Sequence, residues 1–227
     1  MMSPVLENLR GKFIVFDGNE GCGKSTQASL LRETLTSYDL DVLLVRDPGS
    51  TRIGEQIRQI LLNPENTDMA MRCEMLLYMA ARAQMMKQII QPGIDQGQVV
   101  ICDRFISSTL AYQLGGDNLT AREIRSVGEI AIGGKWPDLT IILDLPIEVS
   151  SARVRPKFSL FPNDPDAGVE KDRIERRSMA YHEQVRQNYL RQARGPHGKF
   201  RVINANREPQ EVQQDVWKTI EELAKDK

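Results

Sequence analysis

An α/β fold, with a five-stranded parallel sheet and helices on both faces, is predicted by three features of this sequence. Five short apolar runs recur along the chain, helical patterns separate them, and the first run leads straight into a glycine-rich loop. The runs are continuously apolar rather than alternating, as expected of parallel strands buried on both faces.

Residues 12–17 (KFIVFD) give the first strand, which ends at Gly18. A helix over 24–38 follows, with Leu30, Leu31 and Leu35 at helical spacing. Further strands are expected at 41–46 (DVLLVR), 98–103 (QVVICD), 139–144 (LTIILD) and 200–204 (FRVIN). Residues 67–90 carry Met71, Met75, Leu76, Met79, Met86 and Ile90 in a long helical pattern that Pro92 and Gly93 are expected to break. The helix reads as core or interface, and its methionine stripe as flexible core filling in preference to a binding groove. Residues 155–171 are interrupted by Pro156, Pro162, Pro165 and Gly168 and are expected to form a mobile excursion. Gly18, Asp47, Asp103 and Asp144 would project from the carboxyl ends of their strands, the edge where open parallel sheets bind ligands.

The 227 residues suit one domain, taken as 1–227 with no internal repeat. With 41% hydrophobic and 27% charged residues, disordered and collagen-like classes are excluded. A net charge of −1 gives no basic surface for nucleic acid, so an anionic ligand needs a local site. The longest apolar runs, near 99–102 and 140–145, are too short to span a membrane, and residues 1–10 lack a signal-peptide pattern. A cytoplasmic location is therefore expected. Cys22, Cys73 and Cys102 are too few and too widely spaced for a disulfide framework or a zinc site, and read as reduced structural thiols.

Gly18-Asn19-Glu20-Gly21-Cys22-Gly23-Lys24-Ser25, followed by Thr26, matches G-x-x-x-x-G-K-[ST] between a strand and a helix. The glycines let backbone N–H groups turn inward around phosphate oxygens, and the following helix N-terminus adds partial positive charge. Lys24 would reach the β- and γ-phosphates of ATP, and the Ser25 hydroxyl would serve Mg²⁺, a hard cation that prefers oxygen. These nine residues, Gly18 to Thr26, form the candidate ATP site in a P-loop NTPase fold. Cys22 lies near a helix N-terminus, where a thiol pKa can fall, but no histidine pairs with it and a small side chain is the simpler requirement. No N-K-x-D or D-x-x-G element of a GTP switch is present. Asp103, at the end of the third strand, is placed to hold Mg²⁺ or its water, with the Arg104 guanidinium beside it suited to phosphate. Read alone, Asp103-Arg104 could be a surface ion pair and Tyr78 a core aromatic.

These residues resemble the thymidylate kinase family. The resemblance spans roughly residues 12–224 and rests on several segments: the phosphate loop, Arg46-Asp47-Pro48-Gly49-Ser50-Thr51, Tyr78 with Ala80-Ala81-Arg82-Ala83-Gln84, and Asp103-Arg104-Phe105 with Ser108-Thr109 and Ala111-Tyr112-Gln113. Pro137-Asp138-Leu139-Thr140, Leu143-Asp144 and Asp172-Arg173-Ile174-Glu175 complete it. It implies transfer of the γ-phosphoryl of ATP to dTMP, with Mg²⁺, by a homodimer. In the acceptor site it implies that Tyr78 stacks on thymine, Thr109 and Gln113 help read the base or hold its neighbours, and Arg82 and Arg104 grip the acceptor phosphate. It further implies that Tyr112 crowds the ribose 2′ position, that Glu20 lies near the 3′-hydroxyl, and that Asp47 belongs to the dTMP site. Gly21 stands where some members place a catalytic arginine, so the sequence resembles the subgroup that supplies the cation from a lid, here about 153–172. Arg153, Arg155 and Lys157 are the matching positions and Arg155 the first choice. Two departures stand out: Asp47-Pro48-Gly49-Ser50-Thr51 replaces the usual Glu-Pro-Gly-Gly-Thr, and residues 158–169 lengthen the lid. Asn204-Ala205-Asn206 resembles the adenine-side loop. A kinase for another pyrimidine nucleotide or a deoxynucleoside, and a non-catalytic nucleotide-binding module, are the alternatives.

Overall fold

The computed structural model describes residues 5–153 and 172–226. Its sheet contains β1 (Phe13–Asp17), β2 (Val42–Arg46), β3 (Val99–Asp103), β4 (Leu139–Asp144) and β5 (Phe200–Asn204). They lie in the order β2-β3-β1-β4-β5, and all paired strands run parallel. Three strands begin one residue later than expected, because Lys12, Asp41 and Gln98 are polar entry residues outside the assigned strands.

Alternate residues of each central strand feed different cores. Ile14, Phe16, Val99 and Ile101 pack with Leu31 and Leu35 of α1 (Lys24–Ser37) and Val216 and Ile220 of α9 (Pro209–Lys225). Phe13, Val15, Val100 and Cys102 pack on the opposite face with Met75, Met79 and Met85 of α3 (Met71–Met85) and Ile124 of α6 (Ala121–Ile132). This two-sided burial is the physical reason the strands read as unbroken apolar runs. It also makes the buried methionines core filling.

The remaining described helices are α2 (Arg52–Leu62), α4 (Gln91–Asp95), α5 (Ile106–Tyr112), α7 (Ile147–Arg153) and α8 (Met179–Ala193). One expectation is corrected here. Pro92 and Gly93 do not end the long helix: α3 passes through a π turn at Met86–Ile90 into α4, and the chain leaves the helix only near Gly97, at φ 77°. The wide turn displaces the carbonyls that the proline ring would otherwise strike, and Pro92 sits in the first turn of α4, where its missing N–H is tolerated. Gly93 is needed for close packing, since a Cβ there would lie 2.7 Å from Leu43 Cδ2. The helix also starts at Met71 rather than at residue 67. No helix of the described residues is long and apolar enough to cross a membrane.

Helix α6 is held at its start by a reciprocal capping box: the Thr120 side chain accepts from Glu123 N, and the Glu123 carboxylate accepts from Thr120 N. Thr120→Ala is expected to lower the unfolding free energy by about 1 kcal/mol. Denaturant unfolding would show it as a lower midpoint at unchanged slope.

Candidate functional site

Strand β1 ends at Asp17, and the loop that follows turns through Gly18 (φ 134°), Gly21 (φ 69°) and Gly23 (φ 96°) before α1 begins at Lys24. At Gly18 a side chain has no room, because a Cβ would lie 2.5 Å from the Leu143 carbonyl oxygen of β4. No side chain caps α1, which leaves its first N–H groups for an anion. The buried Lys24 ammonium donates to Asn19 O at 2.8 Å and Gly18 O at 3.3 Å, satisfied by the loop's own carbonyls. Ser25 Oγ donates to Asp103 Oδ2 at 2.6 Å, so the two expected metal ligands, 78 residues apart in sequence, touch. Among the described residues no cluster of three or more His, Cys, Asp or Glu could hold a metal. One hydroxyl and one carboxylate are a donor set suited to Mg²⁺, which takes few protein oxygens and completes its shell with phosphate and water.

Beside this loop opens a cleft of about 500 Å³. Arg104 adopts φ 72°, unusual for a side-chain-bearing residue, where the chain turns from β3 toward α5. Its guanidinium donates to Glu20 at 2.6 Å, Gly18 O at 3.2 Å, Ser108 Oγ at 3.1 Å and Tyr189 OH at 3.1 Å, and lies over the Tyr112 ring. Burial works against its charge, but Glu20, Tyr112, Tyr189 and Asp17 more than offset this and hold its pKa well above the ordinary arginine value. Beneath it the buried Asp17 carboxylate accepts from Gly18 N, Ser107 Oγ, Ser108 Oγ and Tyr189 OH. Burial pushes the Tyr112 and Tyr189 hydroxyls well above the usual phenol range, so both remain neutral donors.

Deeper in the cleft, Arg82 is fully buried and holds Asp47 with Nε and Nη2. Burial raises the Asp47 pKa despite the pull of Arg82. Arg82 also reaches Thr109 Oγ1 at 3.4 Å and stacks over Phe105. Half-buried Tyr78 faces the same cleft from α3, and Gln113 enters it at the end of α5, its Nε2 donating to Glu74 at 2.7 Å. Ser50 occupies φ 63° where the related segment has glycine. Its hydroxyl accepts from Arg46 N at 2.8 Å and donates to Arg46 O at 3.1 Å, which holds the turn in the left-handed region.

The cleft brings together Glu20, Gly21, Gly23, Lys24, Ser25, Thr26, Asp47, Tyr78, Arg82, Asp103, Arg104, Thr109, Tyr112, Gln113 and Arg153. Gly18, Asn19 and Cys22 shape the loop without lining it. Asp144 ends β4 at the expected edge but does not line the cleft, and pairs with Arg186 through two bonds of 2.7 and 3.0 Å. Arg153 is exposed and donates to Ala205 O at 3.3 Å. Arg155, Lys157 and most of the expected lid, 154–171, lie outside the described residues. Asp17, Glu74 and Tyr189 escaped the sequence reading. Asp17 had a signal, a carboxylate ending a strand before the phosphate loop, whereas Tyr189 reaches the site from α8 with none. A larger cavity of about 750 Å³, lined by Phe105, Ile106, Trp136, Gln192 and Phe200, contains none of the expected site residues, so chemistry rather than volume selects the smaller cleft.

The thymidylate kinase family model matches residues 16–216, most of the chain. This chain belongs to the thymidylate kinase family. It is 40% identical over 220 residues to thymidylate kinase of Desulforudis audaxviator, covering 96% of this chain and 94% of that protein. To the enzyme of Symbiobacterium thermophilum it is 41% identical over 211 residues, 93% of each chain. The crystal structure of thymidylate kinase from Ehrlichia chaffeensis superposes with a TM-score of 0.71 at 28% identity, covering 92% of this chain and 98% of that one. Membership of this family makes the chain an ATP-dependent nucleoside monophosphate kinase.

Cys22 lies at a helix N-terminus, where a thiol pKa can fall, but in the structure it behaves as a buried structural thiol. Its thiol is buried, and burial raises the pKa above the ordinary value, outweighing Lys24 and Arg104. Little thiolate then exists at neutral pH. Iodoacetamide at pH 7 is expected to leave Cys22 unmodified in the folded protein and to modify it after unfolding, as read by peptide mass mapping. Fast labelling of the native loop would contradict this.

Proposed function

We propose that this chain transfers the γ-phosphoryl of ATP to the 5′-phosphate of dTMP, giving dTDP and ADP, with Mg²⁺ held by Ser25 and Asp103. The observation that carries this reading is the 2.6 Å contact between Ser25 and Asp103 beside a cleft headed by Arg104. It supports a hard-cation site next to a guanidinium suited to phosphate. Bound Mg²⁺ supplies charge neutralisation on the phosphates.

The acceptor phosphate is ionised near neutral pH and attacks through its own oxygen, so no side chain need remove a proton. A bond forms from that oxygen to the γ-phosphorus as the bond to the β–γ bridging oxygen breaks. The protein's contribution is positioning and charge stabilisation. Lys24 exchanges its loop carbonyls for β- and γ-phosphate oxygens. Arg104 turns from Glu20 toward the acceptor phosphate, with the more deeply buried Arg82 behind it, and Glu20 is released toward the 3′-hydroxyl. Tyr78 gives the base a stacking face, Thr109 and Gln113 read its edge, Tyr112 fills the space at the ribose 2′ position, and Asp47 holds Arg82 in place. Gly21 leaves the loop without a cation there, so the lid supplies it, from Arg155 with Arg153 at the cleft margin.

Exposed Ile53 and Ile60 on α2, Leu76 on α3 and Ile130 on α6 lie on adjoining helices and support pairing of two copies. Three free cysteines fit the reducing cytoplasm.

Incubation with ATP·Mg²⁺ and dTMP, dUMP, UMP, dCMP or AMP at matched concentrations is expected to yield dTDP preferentially. Preference for another monophosphate would overturn the acceptor assignment, and absence of transfer would overturn the kinase reading. Arg104→Ala is expected to lower kcat/KM for dTMP by about a hundredfold or more, roughly 2.7 kcal/mol of transition-state stabilisation.

A further inference from the structure

Glu74 is buried at 0% exposure on α3 and lies one helical turn before Tyr78. It divides its two oxygens between two tasks. Oε2 accepts from Arg173 Nη2 and, at 2.6 Å, from Arg177 Nη2, while Oε1 accepts from Gln113 Nε2 at 2.7 Å. A carboxylate held by two guanidinium groups offers its remaining oxygen only as an acceptor. The end of the Gln113 amide that faces it must therefore be the NH₂ group, since the flipped amide would set two oxygens against each other. That choice leaves Gln113 Oε1 pointing elsewhere, buried and without a hydrogen-bond partner, on a residue that lines the acceptor cleft.

We propose that Glu74 is a positioning residue that fixes the Gln113 amide with its carbonyl toward the cleft, and so selects acceptor bases that present an N–H donor. The inference rests on the kinase reading above and deepens it. A buried carbonyl with no partner is costly, and a ligand that donates to it recovers that cost. The 4-oxo pyrimidines carry an N3–H and satisfy the carbonyl. Cytosine presents an N3 lone pair at the same place and meets a second lone pair. Glu74 never touches the base. It acts through Gln113, and the two arginines hold it in register.

The test is acceptor selectivity, the ratio of kcat/KM for dTMP to that for dCMP. In Glu74→Gln the two arginines keep the new amide's oxygen, its NH₂ group faces Gln113, and Gln113 turns over to present its own oxygen to it. The ratio is expected to fall at least tenfold, about 1.4 kcal/mol, with KM for ATP unchanged. In a Gln113→Leu background the Glu74 substitution is expected to change the ratio no further, because coupled residues are not additive. An equal loss for both acceptors, with the ratio intact, would show a merely structural Glu74 and overturn the proposal. Should loss of the charge between Arg173 and Arg177 prevent folding, Glu74→Asp keeps that charge while withdrawing the carboxylate from Gln113, and the same fall in ratio is expected. The unmodified protein gives an independent readout: N3-methyl-dTMP is expected to bind at least tenfold more weakly than dTMP. Equal binding, in an enzyme that phosphorylates dTMP, would overturn the inference alone. Failure to phosphorylate dTMP would overturn both readings.

Discussion

A charge largely withdrawn from water has to be paired, and in this protein the partly buried Arg104 guanidinium is where that constraint is concentrated. It joins the phosphate loop through Glu20 and Gly18, α5 through Ser108, and α8 through Tyr189, while Asp17 at the end of β1 anchors the same hydroxyls from below. Four separate parts of the chain are thereby registered on one cation. Removing one partner from a buried charge network costs several kcal/mol, often about 3–5, far more than an exposed ion pair contributes. The backbone accepts φ 72° at Arg104 because that network over-determines the position.

The same constraint explains how the charges of the site are paired within the protein. Lys24 is satisfied by loop carbonyls, Arg104 by Glu20 and Ser25 by Asp103. In the proposed function each partner gives way to a ligand oxygen or a cation, so binding exchanges one set of bonds for another and does not strip a charge of its surroundings. Arg82 differs. It is fully buried and holds Asp47 with two nitrogens, so its charge is offset within the protein. That makes it a rigid wall of the cleft with a fixed cation at depth, while Arg104, at 15% side-chain exposure, is the more available of the two for a phosphate.

Where sequence alone was sufficient, the reason was contiguity. Strands β4 and β5 follow the expected bounds because their apolar runs stop at polar residues, and the phosphate loop is legible because all its parts are adjacent. Pro92 and Gly93 misled because local propensity said break, whereas the π turn and the close approach of Leu43 made both residues useful inside a continuing helix. Glu74 and Tyr189 were missed for a different reason: their partners lie 39 and 85 residues away, at Gln113 and Arg104, and no local pattern marks such a pairing. The serine at position 50 looked like a lost glycine. In the structure its hydroxyl ties the turn back to both backbone groups of Arg46, and Glu55 accepts from Ser50 N at 2.7 Å, so local bonds replace the freedom that glycine would have provided.

The cleft thus divides two physical problems between two kinds of group. Binding phosphate requires charge, and charge discriminates poorly among phosphates because its attraction is long-ranged and tolerant of direction. Reading a base requires a directional group that cannot reorient, and an amide free to rotate would present a donor as readily as an acceptor. Placing a neutral amide against a carboxylate that is itself pinned by Arg173 and Arg177 removes that freedom without adding a charge to the base pocket. On the proposed reading, selectivity for the base depends on Gln113, which touches it, and on Glu74, which holds Gln113 without touching the base, while affinity for the phosphates depends on charged groups elsewhere in the cleft.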